Sequence, residues 1–126
     1  MIRVAAVDDD VSVLKNIGKL IKRTKAFEGF EYIVDTFTSG SDFLHSEKFY
    51  DLLLLDIEMP QMNGFELAKQ VNSVSQDGEH TSIIYISNYE NLVFESFKYS
   101  PLRFVRKNNL DTDFPEAVNA FLSKYQ

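Results

Sequence analysis

Four consecutive leucines at residues 52–55 constrain the fold of this 126-residue chain more than any other feature. A short apolar run without polar alternation predicts a strand buried on both faces, as in the middle of a parallel sheet. Asp56 ends the run and Pro60 prevents strand pairing soon after it, so Asp56 is expected where the strand becomes a loop. Ligands bind at such strand ends in open α/β sheets, although a lone Asp more often only ends a strand or caps a turn.

The remaining sequence alternates short apolar runs with helical patterns. Hydrophobic patterning predicts strands at residues 2–7, 30–37, 52–56, 82–86 and 103–106. Helices are predicted at residues 11–25, in a short segment ending near 46, and at residues 65–74, 90–99 and 113–125. Five strand–helix units with short connections favour right-handed crossovers. The expected fold is a doubly wound α/β domain, with a five-stranded parallel sheet of flavodoxin-like order 2-1-3-4-5 and helices on both faces.

Length, composition and charge exclude several classes of function. The chain has the length of a single domain covering residues 1–126. It has no apolar run near the ~20 residues of a membrane span and no signal-peptide pattern, so no membrane partner is expected. The absence of cysteine excludes disulfides and thiol catalysis and agrees with a cytoplasmic location. A net charge of −6 argues against direct nucleic-acid binding by this domain.

Carboxylates follow two strands that the predicted order makes neighbours. Strand one runs into Asp8, Asp9 and Asp10, and strand three ends in Asp56. Carboxylates brought that close repel one another unless a hard cation neutralises them, and Mg²⁺ suits a few carboxylates with water ligands. Asp10 is better interpreted as the N-cap of the first helix. Asp8, Asp9 and Asp56 therefore predict a magnesium site.

Two further strand ends open onto the same edge of the predicted sheet. Strand four runs into Ser87 and strand five into Lys107. A hydroxyl that donates a hydrogen bond and an ammonium group both suit phosphoryl oxygens. Taken singly, Ser87 is better interpreted as a helix cap and Lys107 as a surface lysine. Together with the carboxylates they indicate a magnesium-dependent site for a phosphorylated carboxylate.

In chain order these residues form a recognisable pattern. It consists of Asp8 and Asp9, the stretch Asp-Ile-Glu-Met-Pro-Gln-Met-Asn-Gly that begins at Asp56, then Ser87 and Lys107. Over nearly the whole chain, the sequence resembles the receiver domain of two-component response regulators. The resemblance implies that Asp56 is the phosphoacceptor, with a histidine kinase as donor. It implies that Ser87 and Lys107 bind the phosphoryl oxygens. The metal ligands it implies are Asp8, Asp9, Asp56 and the backbone carbonyl of Glu58.

The resemblance also implies a switch. Phe104 occupies the position of the family's aromatic switch, and phosphorylation adds charge that draws Ser87 toward Asp56. Phe104 then rotates inward and remodels the face formed by the predicted fourth helix, fifth strand and last helix (the α4-β5-α5 face). We hypothesise that this face dimerises or binds a partner on activation, because it is rich in aromatic residues. That most of these are core residues remains an equal alternative. The residues concerned are Phe94, Phe97, Tyr99 and Phe104.

Four positions depart from or modify the family pattern. Asn108 follows Lys107 where receivers typically have proline after a cis peptide bond. A non-proline cis bond costs ~2.5–4 kcal/mol, so this bond is expected to be trans and the following loop to differ in shape. Asn88 stands where a small residue is common and is expected to narrow access to the site. Glu58 and Tyr89 occupy positions expected to set the lifetime of the aspartyl phosphate.

Two questions of context stay open. Residues 86–91 and 97–107 are similar to receivers of the LytTR-linked (LytR/AlgR-type) subgroup, which implies a DNA-binding output domain after Gln126 and control of transcription. A stand-alone receiver is the other possibility. A different class of function is a haloacid-dehalogenase-like phosphohydrolase with Asp8 as nucleophile, since Asp8 and Asp10 have the spacing of that motif. That alternative leaves Asp56 and the loop after it without a role.

Overall fold

Five strands and four α-helices lie in the parts of the chain that the computed structural model describes, which are residues 1–73, 80–88 and 103–125. The strands are β1 (Ile2–Val7), β2 (Tyr32–Phe37), β3 (Leu52–Asp56), β4 (Ser82–Ser87) and β5 (Arg103–Arg106). The α-helices are α1 (Val11–Arg23), α2 (Gly40–His45), α3 (Gly64–Ser73) and the C-terminal helix (Leu110–Tyr125). Short 3-10 helices cover Lys25–Phe27 and Lys107–Asn109. The predicted helix at residues 90–99 lies outside the described residues.

The sheet confirms the predicted topology. Its order is β2-β1-β3-β4-β5, and every neighbouring pair is parallel. Val7 pairs with Leu55 across β1 and β3, so the next residue on each strand, Asp8 and Asp56, is carried to the same level. Ser87 pairs with Arg106 at the carboxyl end of β4 and β5. The carboxyl ends of four strands thus meet at one edge of the sheet.

The leucine strand is buried on both faces, as its sequence predicts. Leu52 and Leu54 face a core cluster that contains residues of α1 and the C-terminal helix. Leu53 and Leu55 face a second cluster, formed with residues of α2 and α3. Burying one such side chain stabilises a fold by about 1.5–3 kcal/mol, so this strand anchors both layers of helices. None of the helices in the described residues has the length and apolarity of a bilayer-crossing segment.

Several element boundaries differ from the predicted ones. The first helix ends at Arg23 because Thr24 adopts an extended backbone and its hydroxyl donates to the Leu20 carbonyl at 2.6 Å. The C-terminal helix begins at Leu110, three residues before the predicted start at Asp113. That prediction is wrong because the 3-10 turn Lys107–Asn109 leads directly into the helix, and the Asp113 carboxylate binds Arg106 instead of marking the helix start.

Candidate functional site

Three carboxylates lie together at the carboxyl ends of β1 and β3. Asp8 follows β1 and Asp56 is the last residue of β3, so the parallel register places them side by side. Asp8 and Asp56 are buried, at 1% and 3% exposure, whereas Asp9 is exposed to solvent. One carboxylate oxygen from each of Asp8, Asp9 and Asp56 lies within 4.8 Å of the other two. This spacing is small enough for one cation to contact all three.

Lys107 extends into the same cluster from the turn after β5. Its Nζ lies 3.0 Å from Asp8 Oδ2 and 3.1 Å from Asp56 Oδ1. The side chain is mostly buried, with 18% of its surface exposed. The contact with Asp8 was not foreseen from the sequence, where Lys107 was considered only as a partner for phosphoryl oxygens. Lys107 therefore bridges the two buried carboxylates.

Burial governs the protonation of this cluster. Desolvation, followed by the charge of Asp8, raises the pKa of Asp56 to about 7, although Lys107 acts in the opposite direction. Desolvation likewise raises the pKa of Asp8 above its ordinary value. Burial opposes the charged form of Lys107, but the two carboxylates more than offset this and raise the pKa of its ammonium group. One lysine thus leaves part of the negative charge uncompensated.

The donor set fits a hard cation. Asp56 Oδ2 is buried, and no group in the described residues donates a hydrogen bond to it. A buried carboxylate oxygen without a partner is costly, and a cation would satisfy it. Magnesium is bound in proteins through a few carboxylates together with water, which agrees with two buried carboxylates and the exposed Asp9. Asp8, Asp9 and Asp56 are the residues that would hold it.

The loop that carries Glu58 is held firmly against Asp56. The Gly64 amide donates to the Ile57 carbonyl at 2.8 Å, which closes the loop before α3. A Cβ on Gly64 would lie 2.4 Å from the Asp56 carbonyl oxygen, so only glycine fits this approach. Within the loop, Gln61 adopts a left-handed backbone with φ of 69°. Glu58 itself is exposed to solvent.

A capping box fixes the start of α3 after this loop. The Asn63 side chain accepts from the Glu66 amide at 2.9 Å, and the Glu66 carboxylate accepts from the Asn63 amide at 3.0 Å. An acceptor followed three residues later by Glu is a recognised helix-start signal, and the sequence carries it at these two positions. The loop between β3 and α3 is thus tied at both ends.

The remaining predicted site residues occupy varied surroundings. Ser87 is buried at the end of β4, one residue beyond the Ile86 that pairs with Asp56. Phe104 is half-buried on β5, where it pairs with Tyr85 and packs against the α2–α3 side of the core. Asn88 is exposed. Asp10 caps α1, since its carboxylate accepts from the Ser12 backbone amide at 2.9 Å and from the Ser12 hydroxyl at 2.6 Å. Tyr89, Phe94, Phe97 and Tyr99 lie outside the described residues.

The turn after β5 has one feature that the sequence predicts and two that it does not. The Lys107–Asn108 bond is trans, as predicted, since no peptide bond in the described residues is cis. The turn it enters is a 3-10 helix bordered by an Arg106–Asp113 ion pair with Nε 2.9 Å from Oδ2. This pair joins residues of a strand and a helix, seven positions apart, and no local sequence pattern signals it.

Two curated proteins of similar sequence are named as a transcriptional regulatory and a sensory transduction protein. The chain is 34% identical over 76 residues to the transcriptional regulatory protein CpxR homolog of Haemophilus influenzae, covering 60% of this chain and 31% of that protein. It is 26% identical over 107 residues to the sensory transduction protein LytT of Bacillus subtilis, covering 85% of this chain and 42% of that protein. The chain therefore spans less than half the length of these curated relatives.

Solved structures and a family model agree with these relatives. The response regulator TrrA of Thermotoga maritima, in complex with Mg²⁺ and BeF, superimposes with a TM-score of 0.78 at 26% identity, covering 96% of this chain and 99% of that chain. The BeF3-activated DrrB receiver domain has the same fold, with a TM-score of 0.81 at 24% identity and 98% coverage of both chains. The sequence model of the response regulator receiver domain family matches residues 4–119 of the chain. The chain belongs to the family of response regulator receiver domains.

Proposed function

We propose that Asp56 accepts a phosphoryl group from a histidine kinase in a magnesium-dependent reaction. The observation that carries this proposal is the position of Asp56 among the other groups. Its carboxylate is buried and has an oxygen within 4.8 Å of carboxylate oxygens of Asp8 and Asp9. Asp56 Oδ1 also lies 3.1 Å from Lys107 Nζ. Asp56 Oδ2 has no hydrogen-bond donor in the described part of the chain and is available to react.

The proposed chemistry is a displacement at phosphorus. A bond forms between an Asp56 carboxylate oxygen and phosphorus while the bond from phosphorus to the donor imidazole nitrogen breaks, and that nitrogen keeps the electron pair. Magnesium, when held by the Asp8, Asp9 and Asp56 carboxylates and the Glu58 backbone carbonyl, supplies positive charge next to the transferring oxygens. Lys107 supplies a second positive charge from the turn at the carboxyl end of β5. The Ser87 hydroxyl donates to a third oxygen of the phosphorylated product.

The proposed output begins at β4 and β5. Movement of Ser87 toward the phosphorylated Asp56 leaves room for Phe104, which is half-buried beside Tyr85, to rotate inward. A bias of ~3 kcal/mol between two arrangements would shift their populations about 150-fold. We infer that the α4-β5-α5 face then forms a homodimer or binds a partner. The aspartyl phosphate lifetime is set by Glu58 and Tyr89 in this proposal.

The relatives support a transcriptional output. LytT is a sensory transduction protein and the CpxR homolog a transcriptional regulatory protein, and both are more than twice as long as the matched part. We infer that a LytTR-type DNA-binding domain follows residue 126 in the native protein. This domain itself, with a net charge of −6, is not expected to bind nucleic acid. We also infer that it acts in the cytoplasm, where its kinase would reach it.

The phosphohydrolase alternative is disfavoured on two grounds. Receiver domains are phosphoacceptors rather than enzymes, and the family model covers residues 4–119. In addition, Asp8, the nucleophile of that alternative, already accepts the Asp10 amide at Oδ1 and faces Lys107 with Oδ2. Asp8 is thus held by a backbone hydrogen bond of its own loop, and its Oδ2, like Asp56 Oδ2, has no hydrogen-bond partner in the described residues.

Mapping of the acyl phosphate tests the proposal. The protein is incubated with acetyl phosphate and magnesium, the acyl phosphate is trapped chemically, and the labelled residue is identified by mass spectrometry. We expect label on Asp56 that disappears in Asp56→Asn and when magnesium is removed. Label on Asp8, or continuous hydrolysis of added phosphate esters, would instead support the phosphohydrolase.

A further inference from the structure

One carboxylate holds both the backbone and the side chain of the residue that precedes Lys107. Asp113 Oδ2 accepts from the Arg106 backbone amide at 3.2 Å and from Arg106 Nε at 2.9 Å. Asp113 Oδ1 accepts from Arg106 Nη2 at 3.1 Å. Two parallel bonds from a guanidinium to a carboxylate fix its direction as well as its distance. The third bond extends this restraint to the end of β5.

Asn109 links the same guanidinium to the turn that carries Lys107. With its amide oriented to satisfy both groups, the Asn109 side-chain oxygen accepts from Arg106 Nη2 at 2.7 Å and Nη1 at 3.3 Å. Its nitrogen then donates to the Asn108 carbonyl at 2.9 Å. Lys107, Asn108 and Asn109 are the three residues of the 3-10 turn. The Arg106 side chain is therefore bonded to Asn109 of the turn and to Asp113 of the C-terminal helix.

A second ion pair on the same helix shows how different such contacts are. Arg23 and Asp111 approach only to 3.7 Å, with side chains 68% and 89% exposed. Arg106 and Asp113 are 39% and 19% exposed and make a bidentate contact. Exposed, single ion pairs contribute little, whereas bidentate and partly buried ones impose geometry. Accordingly, the hydrogen bonds from Arg106 lower the pKa of Asp113.

The turn that carries Lys107 lacks the restraint that a proline ring would add to its backbone. Asn108 stands at the position after Lys107, so no proline ring fixes the backbone there, and the bond is trans. Lys107 Nζ nevertheless lies 3.0 Å from Asp8 and 3.1 Å from Asp56. Such contacts at the end of a long side chain require that the Lys107 backbone be held in a defined position. Lysine side chains lose substantial rotamer entropy when held this way.

We propose that Arg106 and Asp113 form a positioning clamp that aims the Lys107 ammonium group at the phosphoryl oxygens on Asp56. The inference rests on the proposed function, because it assigns Lys107 to the bound phosphoryl group. Neither clamp residue is a catalytic residue; both act through the direction of Lys107. The clamp restrains this turn at a point where no proline ring restrains the backbone.

Binding of Mg²⁺ and of beryllofluoride, measured by calorimetry, separates positioning from general stability. In Asp113→Asn we expect beryllofluoride to bind about 10-fold more weakly at saturating magnesium, while the magnesium dissociation constant changes less than about 2-fold. The matched control is Asp111→Asn, which removes a carboxylate of the same helix but only the exposed pair with Arg23. It should leave both constants unchanged. Should Asp113→Asn not fold, Arg106→Lys replaces it, since lysine keeps the charge but not the fork.

A double-mutant cycle with Lys107→Ala decides whether the clamp acts through Lys107. We expect Asp113→Asn to weaken beryllofluoride binding less than about 2-fold when Lys107 is already absent. An equal effect in both backgrounds, or an unchanged affinity in the single variant, would overturn the clamp while leaving the proposed function intact. If the parent protein itself bound no beryllofluoride, the proposed function would fail, and the clamp with it.

Discussion

Two aspartates flank the leucine run, and the fold treats them in opposite ways. Asp51, at the amino end of β3, is half-buried, and its carboxylate accepts from the Arg3 amide at 2.8 Å. Its backbone amide donates to the Arg3 carbonyl, and its backbone carbonyl accepts from the Ser82 amide. Asp56, at the carboxyl end, is more deeply buried, faces two other carboxylates and keeps one oxygen without a donor in the described residues.

The difference separates a carboxylate that the protein satisfies from one that it leaves partly unsatisfied within the described residues. A satisfied carboxylate stabilises the fold, whereas a buried and unsatisfied one costs free energy that only a ligand offsets. Both residues have the same side-chain chemistry and lie five positions apart, Asp51 just before β3 and Asp56 at its end. What distinguishes them is the surroundings that the topology places at each end of the sheet. Four substitutions test this contrast.

The largest effect is expected from Gly64→Ala, which disturbs only the carboxyl end of β3. The added Cβ would lie 2.4 Å from the Asp56 carbonyl oxygen and 2.8 Å from the Ile57 Cα, so the loop must move. We expect a loss of about 2–4 kcal/mol in unfolding free energy, measured by urea denaturation, and weaker magnesium binding. Gly18→Ala is the matched control, because a Cβ there meets nothing within 4 Å and should stabilise α1 by about 0.5–1 kcal/mol. Equal stability of the two variants would contradict the close approach.

A gain in stability is expected from Asp56→Asn in the absence of magnesium. Burial and Asp8 raise the folded-state pKa of Asp56 to about 7, above the ordinary value of 3.8. Its ionisation therefore destabilises the fold as pH rises from about 4 to 7. At about pH 8 the variant should be more stable than the parent by about 1–3 kcal/mol, and the gain should vanish below about pH 4.

The measurement is urea unfolding in chelator across this pH range. A pH-independent gain would show that packing rather than charge is responsible. Added magnesium should reduce the difference, since it stabilises the parent through the carboxylate that the variant lacks.

A smaller effect, on metal affinity, is expected from Lys107→Gln. The Lys107 ammonium group contacts both Asp8 and Asp56 and thus opposes a second cation at these oxygens. We expect magnesium to bind about 3- to 10-fold more tightly to the variant by calorimetry. Lys124→Gln removes the same charge from an exposed position on the C-terminal helix and should change the affinity little. Weaker binding in Lys107→Gln would mean that Lys107 supports the metal site.

The smallest effect is expected from Asp51→Ala, at the opposite end of the strand. Its carboxylate accepts one hydrogen bond, from the Arg3 amide. We expect a loss of about 0.5–1.5 kcal/mol in unfolding free energy, with magnesium affinity unchanged. A stabilising effect, as predicted for Asp56→Asn, would remove the contrast between the two strand ends.

Local patterns allowed much of the site to be predicted. The unbroken leucines indicate a central strand, and strand–helix alternation limits the topology, so the positions of Asp8, Asp9 and Asp56 at one edge follow from strand order. Lys107 could be placed at that edge by the same reasoning. The capping box of Asn63 and Glu66 also follows a local sequence pattern, an acceptor three residues before Glu.

The sequence by itself determined the sheet, its order and the strand ends that carry charge, because these depend on apolar patterns repeated along each element. Only the tertiary structure decided that Lys107 bridges Asp8 and Asp56, and that Asp113 binds Arg106 rather than starting the last helix. Such contacts join side chains from different elements at distances of about 3 Å. Their formation depends on how strands and helices pack, which no local pattern specifies.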